Sequence, residues 1–158
     1  MRRVTHVVVH TAAAAREGRP FDCSAADIDS WHKNKGWNGI GYHWVVRFDG
    51  SVEQGRPESQ IGAGVFLFNR TTVHVCLSGH GDLAAPTWKQ WTSAVKLAAR
   101  ILERHGLIEA FLRNPNRVIG HREAWTLSLV PSPIRKSCPG RLVDMRAFRR
   151  AVLEEIGR

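Results

Sequence analysis

The chain has 158 residues, 43% of them hydrophobic. Its formal net charge is +9, because it has 23 Lys and Arg but only 14 Asp and Glu. This length predicts one domain, residues 1–158, that buries its own core without disulfides or repeats. Three irregularly spaced cysteines exclude a disulfide framework and suit a reducing compartment. The basic surface should attract nucleic acid, anionic lipid or bacterial wall polymers, so the charge alone identifies no function.

The amino-terminal segment MRRVTHVVVH begins with basic residues but does not have the pattern of a signal peptide. His6 and His10 interrupt its apolar run, and no cleavage-site pattern follows. No stretch of the sequence is apolar over the length that a transmembrane helix needs. We therefore expect a protein made in the cytosol, without a leader and without a membrane span.

The first third of the chain predicts a buried strand followed by a helix. Residues 4–10 are β-branched and almost continuously apolar, which is typical of a central strand buried on both faces. Residues 11–23 are predicted to form a loop. Ser24 can cap a helix over residues 24–35, and Gly36 ends it.

A hairpin and a further strand follow. Alternating residues 42–48, the turn Asp49-Gly50 and residues 51–54 predict an antiparallel pair with a two-residue turn. Alternation assigns the side chains to two faces: Tyr42, Trp44 and Val46 to one, and His43, Val45 and Arg47 to the other. Gly-rich residues 55–70 are predicted to form a surface loop, and residues 72–77 another apolar strand.

The second half of the chain predicts two amphipathic helices and a short strand. Thr87 with Gln90 forms a capping-box pattern for a helix that ends at His105-Gly106. The apolar positions at helical spacing in the two helices are Trp88, Trp91, Val95, Ala98 and Leu102, and, after an Asp144 cap, Met145, Phe148, Val152 and Ile156. Val118 and Ile119 make the short strand. These elements predict an α/β fold with a central mixed sheet flanked by helices.

Three residues have the chemistry and the placement of zinc ligands. His10 ends the first predicted strand, His121 follows a later one, and Cys138 precedes a Pro-Gly turn. The two histidines can meet at one sheet edge, where Cys138 completes a site of three protein ligands with one position open for water. Such a metal lowers the pKa of its water to roughly 7 and polarises a carbonyl, as amide hydrolysis requires.

Two further residues suit supporting roles. Lys136, two positions before Cys138, can place an ammonium near a developing oxyanion, and donors of that kind contribute roughly 3–4 kcal/mol. Tyr42 can orient a water molecule or pass a proton. Taken singly, these residues have commoner interpretations: a structural His, a small buried Cys, a solvated Lys and a half-buried strand aromatic.

Together, four segments resemble a known family. His10 in VVVHTAA, the segment WHKNKGWNGIGYHWVVRFDGSVEQGRP, VIGHRE and KSCPG are similar to the zinc-dependent N-acetylmuramoyl-L-alanine amidases of the bacteriophage T7 lysozyme and peptidoglycan-recognition-protein type. The resemblance covers about residues 4–142, in the same order and with comparable spacing. It is specific, because the second segment is long and the K-x-C-P pattern is unusual.

The resemblance implies an amidase-like fold with Zn²⁺ held by His10, His121 and Cys138, and with Tyr42 and Lys136 as the catalytic pair. The bond cut would be the amide between the lactyl group of N-acetylmuramic acid and L-alanine in peptidoglycan. The segment between the second and third ligands is longer here than in phage relatives and contains Pro131 and Pro133. The resemblance therefore does not fix the shape of the substrate groove.

The function implied is that of a phage endolysin. It would be made in the host cytoplasm, act as a monomer on the wall after the membrane is permeabilised, and be attracted to anionic envelope polymers. Three alternatives stay open: a non-catalytic peptidoglycan-binding module, a wall-recycling amidase and a nucleic-acid-binding protein. Relatives of the first kind lack the Cys ligand, those of the second use Asp there, and no nucleic-acid-binding motif is apparent.

The sequence also allows predictions for the other histidines and for four tryptophans. His43 is expected in the core or behind the ligands, and His32 is expected to be structural. His80 is a candidate for lining the groove, whereas His6, His74 and His105 receive no functional role. Trp37 and Trp125 are predicted to lie in loops where they can stack on sugar rings, and Trp88 and Trp91 in a helix core.

Overall fold

A computed structural model of the chain describes residues 2–131 and 136–158. Within these ranges the elements, in chain order, are β1 His6–Thr11, β2 Ala15–Arg16, β3 Arg19–Pro20, α1 Ala25–Asn34, β4 Trp44–Val46, β5 Val52–Gln54, β6 Thr72–Leu77, α2 Trp88–Arg104, α3 Ile108–Arg113, β7 Val118–Gly120, α4 Glu123–Thr126 and α5 Met145–Ile156. Two short 3₁₀ helices cover Asn69–Thr71 and Pro115–Arg117. No helix in the described ranges is both long enough and apolar enough to cross a bilayer.

The central sheet is mixed, as predicted. Its strand order is β5-β4-β6-β1-β7, with β5 antiparallel to β4 and the other neighbouring pairs parallel. Strands β1 and β6 are buried along their whole length. This explains why both strands are mostly apolar in sequence instead of alternating strictly between apolar and polar residues.

Alternation along the strands gives the sheet two different faces. One, here called the helix-packed face, joins apolar strand residues to α2 and α5: Val7, Val9, Val46, Val73, Val75 and Leu77 pack with Ala98, Ile101, Leu102, Phe148 and Val152. The other, here called the histidine face, carries His6, His10, His43 and His74. It is covered by α1 through Ile28, by α4 through Ala124 and by the loop 61–69 through Val65. Helices therefore flank the sheet on both sides, which confirms the predicted α/β class.

All three predicted helix caps are present, but the capping box predicted at α2 is incomplete. Ser24 and Asp27 form a reciprocal capping box at α1, and Asp144 caps α5 by accepting bonds from two backbone N–H groups. Thr87 caps α2, but Gln90 does not complete the predicted box. Its amide instead donates to the carbonyls of Val46 and Ser78, because a buried amide needs partners inside the fold.

Several local predictions were wrong for identifiable reasons. Tyr42 does not share a face with Trp44, because β4 begins only at Trp44 and the alternation does not reach back to Tyr42. Trp88 is 74% exposed rather than in a helix core, whereas Trp91 packs edge-on against Phe148 at 5.1 Å between ring centres. The predicted loop 11–23 contains the small β2–β3 hairpin.

Candidate metal centre

The buried end of β1 positions His10 beneath the loops at one edge of the sheet. Its ring is fully buried. Nδ1 lies 3.6 Å from the Sγ of Cys138, and Nε2 lies 3.0 Å from the Nδ1 of His74. The two ring nitrogens therefore face different partners, one toward the loops and one toward the sheet.

His121 follows β7 and is held by the continuing ladder to β1. Its backbone N–H donates to the carbonyl of Val9 at 3.1 Å, and its ring centre lies 4.9 Å from that of His10. Unlike His10, the side chain of His121 is only half-buried and lines an open groove. One edge of the cluster is therefore accessible from outside.

Arg122 fastens the loop that carries Cys138 to the end of β7. Its backbone N–H donates to the carbonyl of Cys138 at 2.7 Å, and its guanidinium donates to the carbonyls of Gly140 at 2.6 Å and Val143 at 3.0 Å. The hydroxyl of Thr11 donates to the carbonyl of Pro139 at 2.9 Å. Although irregular, this loop is therefore tied to both β1 and β7.

As a result, the three predicted ligands lie together. Ligand atoms of His10, His121 and Cys138 are all within 4.8 Å of one another. Zinc bonds of about 2.3 Å to sulfur and about 2.0–2.1 Å to nitrogen, in a tetrahedron, place two such ligand atoms roughly 3.5 Å apart. The observed 3.6 Å between His10 Nδ1 and Cys138 Sγ fits that requirement.

The electrostatics of the cluster also fit a cation. Burial lowers the pKa of His10 well below its ordinary value, with a further contribution from His74, and burial followed by the charge of Lys136 lowers the pKa of His121 to about 4. Both imidazoles are therefore neutral near pH 7, as a metal ligand must be. Burial raises the pKa of the Cys138 thiol to about 11, so this thiol needs a bound cation in order to ionise.

The two predicted catalytic residues flank the cluster. Tyr42 is half-buried, with its ring centre 4.9 Å from that of His10 and 5.5 Å from that of His32. Burial raises its pKa well above the ordinary value, which leaves the phenol protonated. Lys136 is exposed and lines the same groove as His121. Lys136 is therefore within reach of a substrate bound in the groove. The catalytic roles of both residues stay predictions.

The groove has a volume of about 420 Å³ and opens beside His121. It is lined by Trp37, Ala63, Gly64, Val65, Phe66, Asn69, His121, Ala124, Trp125, Val130 and Lys136. Trp37 and Trp125 thus reach the surface where sugar stacking was predicted, although Trp125 belongs to α4 rather than to a loop. His80 lines a separate cavity of about 100 Å³. Pro131 is exposed, and Pro133 lies outside the described residues.

Sequence reasoning missed two residues that contact the predicted ligands. His74 received no role, yet it contacts His10 directly. The available signal was a histidine inside an otherwise apolar strand, where an unpaired polar group is costly. Arg122 follows His121 in the VIGHRE segment, and only the folded loop shows that it binds the carbonyl of Cys138. By contrast, His43 is fully buried behind the cluster, as predicted.

Comparison with known proteins adds independent information. The chain is similar to an endolysin of Klebsiella phage KP32, with 35% identity over 101 residues, which are 64% of this chain and 65% of that protein. The matches to this and to three other phage endolysins thus span less than two thirds of those relatives.

Solved structures show the same fold. The amidase LysC from Clostridium intestinale URNW superposes with a TM-score of 0.77 at 21% identity, covering 96% of this chain and 87% of that chain. Peptidoglycan recognition protein LE, solved in complex with tracheal cytotoxin, a monomeric diaminopimelic acid-type peptidoglycan, has a TM-score of 0.70 at 23% identity, covering 93% and 80%.

The family that matches this sequence is described as N-acetylmuramoyl-L-alanine amidase (Amidase_2). The match extends over residues 1–141 and therefore includes every residue of the cluster. The chain belongs to the N-acetylmuramoyl-L-alanine amidase family.

Proposed function

We propose that this protein hydrolyses the amide bond between N-acetylmuramic acid and L-alanine in bacterial peptidoglycan, as an endolysin in host lysis. The observation that carries the proposal is the convergence of His10, His121 and Cys138 within 4.8 Å at the edge of an open groove. Family membership supports the reaction, and similarity to phage endolysins supports the biological role. The whole chain, residues 1–158, is proposed to act as one amidase domain.

The proposed cofactor is Zn²⁺, held by His10 Nδ1, His121 and Cys138 Sγ. When bound, zinc supplies a water of lowered pKa and polarises the amide carbonyl. The protein contributes two neutral imidazoles and one thiol, a set of three donors that leaves one coordination position open. Because His121 is the ligand that lines the groove, that position is proposed to face the substrate.

Lys136 and Tyr42 are proposed as the catalytic pair. Lys136 extends from the groove wall near His121, where its ammonium can donate to the carbonyl oxygen of the scissile amide as negative charge develops there. Tyr42 keeps its proton because burial raises its pKa, so it can donate a hydrogen bond to a reacting oxygen or orient water.

Peptidoglycan is the proposed substrate because the groove offers aromatic surfaces beside the cluster. Trp37 and Trp125 can stack on sugar rings, and the 83% exposed ring of Phe66 extends the apolar wall. The similar fold of a recognition protein solved with a peptidoglycan fragment supports this substrate class. The net charge of +9 adds attraction to anionic envelope polymers.

The proposed setting follows from the endolysin relatives. We propose that the protein is made in the host cytoplasm, reaches the wall when the membrane is permeabilised, and acts there as a monomer. Size-exclusion chromatography with light scattering tests the oligomeric state, and a stable dimer would contradict that part of the proposal.

The reaction is tested by incubating the purified full chain with peptidoglycan, with and without a zinc chelator. New L-alanine amino termini that appear only without the chelator are expected. New reducing sugar ends would instead identify a glycosidase, and binding to the wall without any cleavage would identify a recognition module. Either of these results would overturn the proposed reaction.

A further inference from the structure

His74 is a fully buried polar residue at the centre of the sheet. It lies on β6 between Val73 and Val75, whose side chains face the opposite side. A buried imidazole without partners is costly, so both ring nitrogens need a hydrogen bond. Both have one: Nδ1 lies 3.0 Å from His10 Nε2, and Nε2 lies 2.9 Å from Thr72 Oγ1.

The directions of these bonds follow from the chemistry of His10. If Nδ1 of His10 binds a cation beside Cys138, that nitrogen has no proton and Nε2 carries it. His10 then donates from Nε2 to Nδ1 of His74. His74 must in turn carry its own proton on Nε2 and donate to Thr72.

The chain of hydrogen bonds ends on the loop that forms the groove wall. The hydroxyl of Thr72 donates to the carbonyl of Phe68 at 2.9 Å, which leaves its oxygen free to accept from His74. The donors therefore run in one order, from His10 to His74, from His74 to Thr72 and from Thr72 to Phe68. A single placement of the protons makes all three hydrogen bonds between the metal cluster and residue 68.

Two glycines let this loop lie directly on the His74 ring. A Cβ added at Gly64 would approach His74 Nδ1 to 2.5 Å, and one added at Gly62 would approach His74 Cδ2 to 2.6 Å. Contacts that short do not occur between real side chains, so the ring is in full contact with the loop backbone. The loop itself contributes Gly64, Val65 and Phe66 to the groove.

We infer that His74 is a positioning residue that fixes the orientation and tautomer of His10 and joins this ligand to the groove wall. The inference rests on the proposed metal centre. Hydrogen-bond partners of metal-binding histidines are commonly carboxylates or carbonyls, and their loss typically lowers metal affinity by about 10- to 100-fold. Here a second histidine fills that position.

The test measures the Zn²⁺ affinity of the full chain by competition with a chromophoric chelator. His74→Leu removes both hydrogen bonds, and we expect zinc to bind about 10- to 100-fold more weakly. His74→Gln keeps an acceptor and a donor and should recover most of the affinity. The matched control is His6→Leu, a buried histidine on β1 whose ring nitrogen contacts Thr5 instead of the cluster, and it should stay within about threefold of the parent.

Nitrogen NMR of the imidazoles in the metal-free parent protein gives a second measurement that does not depend on any variant folding. We expect His10 and His74 both in the Nε2–H form. A proton on Nδ1 of His10, or unchanged zinc affinity in a folded His74→Leu protein, would overturn the inference. If the parent protein itself does not bind zinc, the proposed metal centre fails instead, so the two failures are distinguishable.

Discussion

The two faces of the central sheet are built from the same strands but buried by different means. On the helix-packed face, Val7 and Val9 pack against apolar side chains of α2 and α5. On the histidine face, His10 and His74 are equally buried and depend on hydrogen bonds to each other and to Thr72. Apolar burial is non-directional, whereas each imidazole must meet one partner in one geometry.

The two faces of the sheet therefore have different roles, one in metal binding and the other in stability. Burial keeps the imidazoles of the histidine face neutral, which suits them to bind a cation but adds little hydrophobic stabilisation. The helix-packed face supplies that stabilisation, at roughly 25 cal/mol per Å² of apolar surface removed from water. Substitutions on the two faces should therefore have separable effects on stability and on metal binding.

The largest effect is expected from removing a proposed ligand. Cys138→Ser should abolish tight Zn²⁺ binding and amidase activity together, because the thiolate is one of three donors and its loss exceeds the 10- to 100-fold cost of losing a supporting residue. Metal content after dialysis and release of L-alanine amino termini are the measurements. The matched control is Cys23→Ser, a buried thiol outside the cluster. Full activity in Cys138→Ser would contradict the assignment of the ligand.

Phe148→Ala is the substitution on the helix-packed face that we compare with Cys138→Ser. Phe148 is fully buried and packs edge-on against Trp91, so its truncation should lower the free energy of unfolding by about 3–5 kcal/mol. Zinc affinity of the folded protein should be unchanged. Chemical denaturation and zinc titration check the two parts separately. A parallel loss of zinc affinity would show that the faces are coupled.

Lys136→Ala should separate binding from catalysis. The substitution removes an exposed ammonium from the groove wall, so zinc affinity and stability should be retained while kcat falls by about 100- to 1000-fold, or roughly 3–4 kcal/mol. Lys96→Ala, on the exposed side of α2, is the matched control. Normal turnover in Lys136→Ala would refute the proposed role of this side chain.

The sequence was sufficient to predict the fold class and the three residues of the cluster. It did not predict the residues that contact those three. Strand β6 was predicted at residues 72–77 because most of its residues are apolar, and the family resemblance named His10, His121 and Cys138. Which parallel strand lies beside β1 depends on long-range pairing, and the register that brings His74 next to Val8 has no local signal.

Local patterns failed where tertiary contacts compete with them. Gln90 fitted a capping box in sequence, yet burial turned its amide toward the carbonyl of Val46. Trp88 matched the helical period, but it is the first residue of α2, and its side chain is exposed there. Similarly, Arg122 is of a common surface residue type, and only the folded chain shows its hydrogen bonds to the carbonyls of Ser137, Cys138, Gly140 and Val143.

The faces should also differ in their response to pH when metal is absent. Burial lowers the pKa of His6 and of His43 to about 4, whereas both side chains titrate near 6.5 in the unfolded chain. Between these values the unfolded state binds more protons, so stability is complete above about pH 6.5 and falls as the pH drops toward 4. The loss is on the order of 2–3 kcal/mol per histidine.

Urea denaturation of metal-free protein at several pH values measures this loss. His6→Leu should reduce the pH dependence of the free energy of unfolding by the contribution of one histidine. Val73→Ala, a substitution on the helix-packed face, should lower the free energy of unfolding equally at each pH. Parallel pH curves for the parent and His6→Leu would show that His6 does not contribute to the pH dependence.

The smallest expected effect concerns the contact between the groove wall and the histidine face. Gly64→Ala places a methyl group against the His74 ring, so either the loop or the ring must move, at a cost of about 1–3 kcal/mol in the free energy of unfolding. Zinc affinity should fall as well, because the displaced ring is the one that holds His10. Gly157→Ala, where an added Cβ meets nothing closer than 3.6 Å, controls for the substitution itself. If Gly64→Ala lost stability but kept its zinc affinity, the groove wall would be packed on the histidine face without being coupled to the metal cluster.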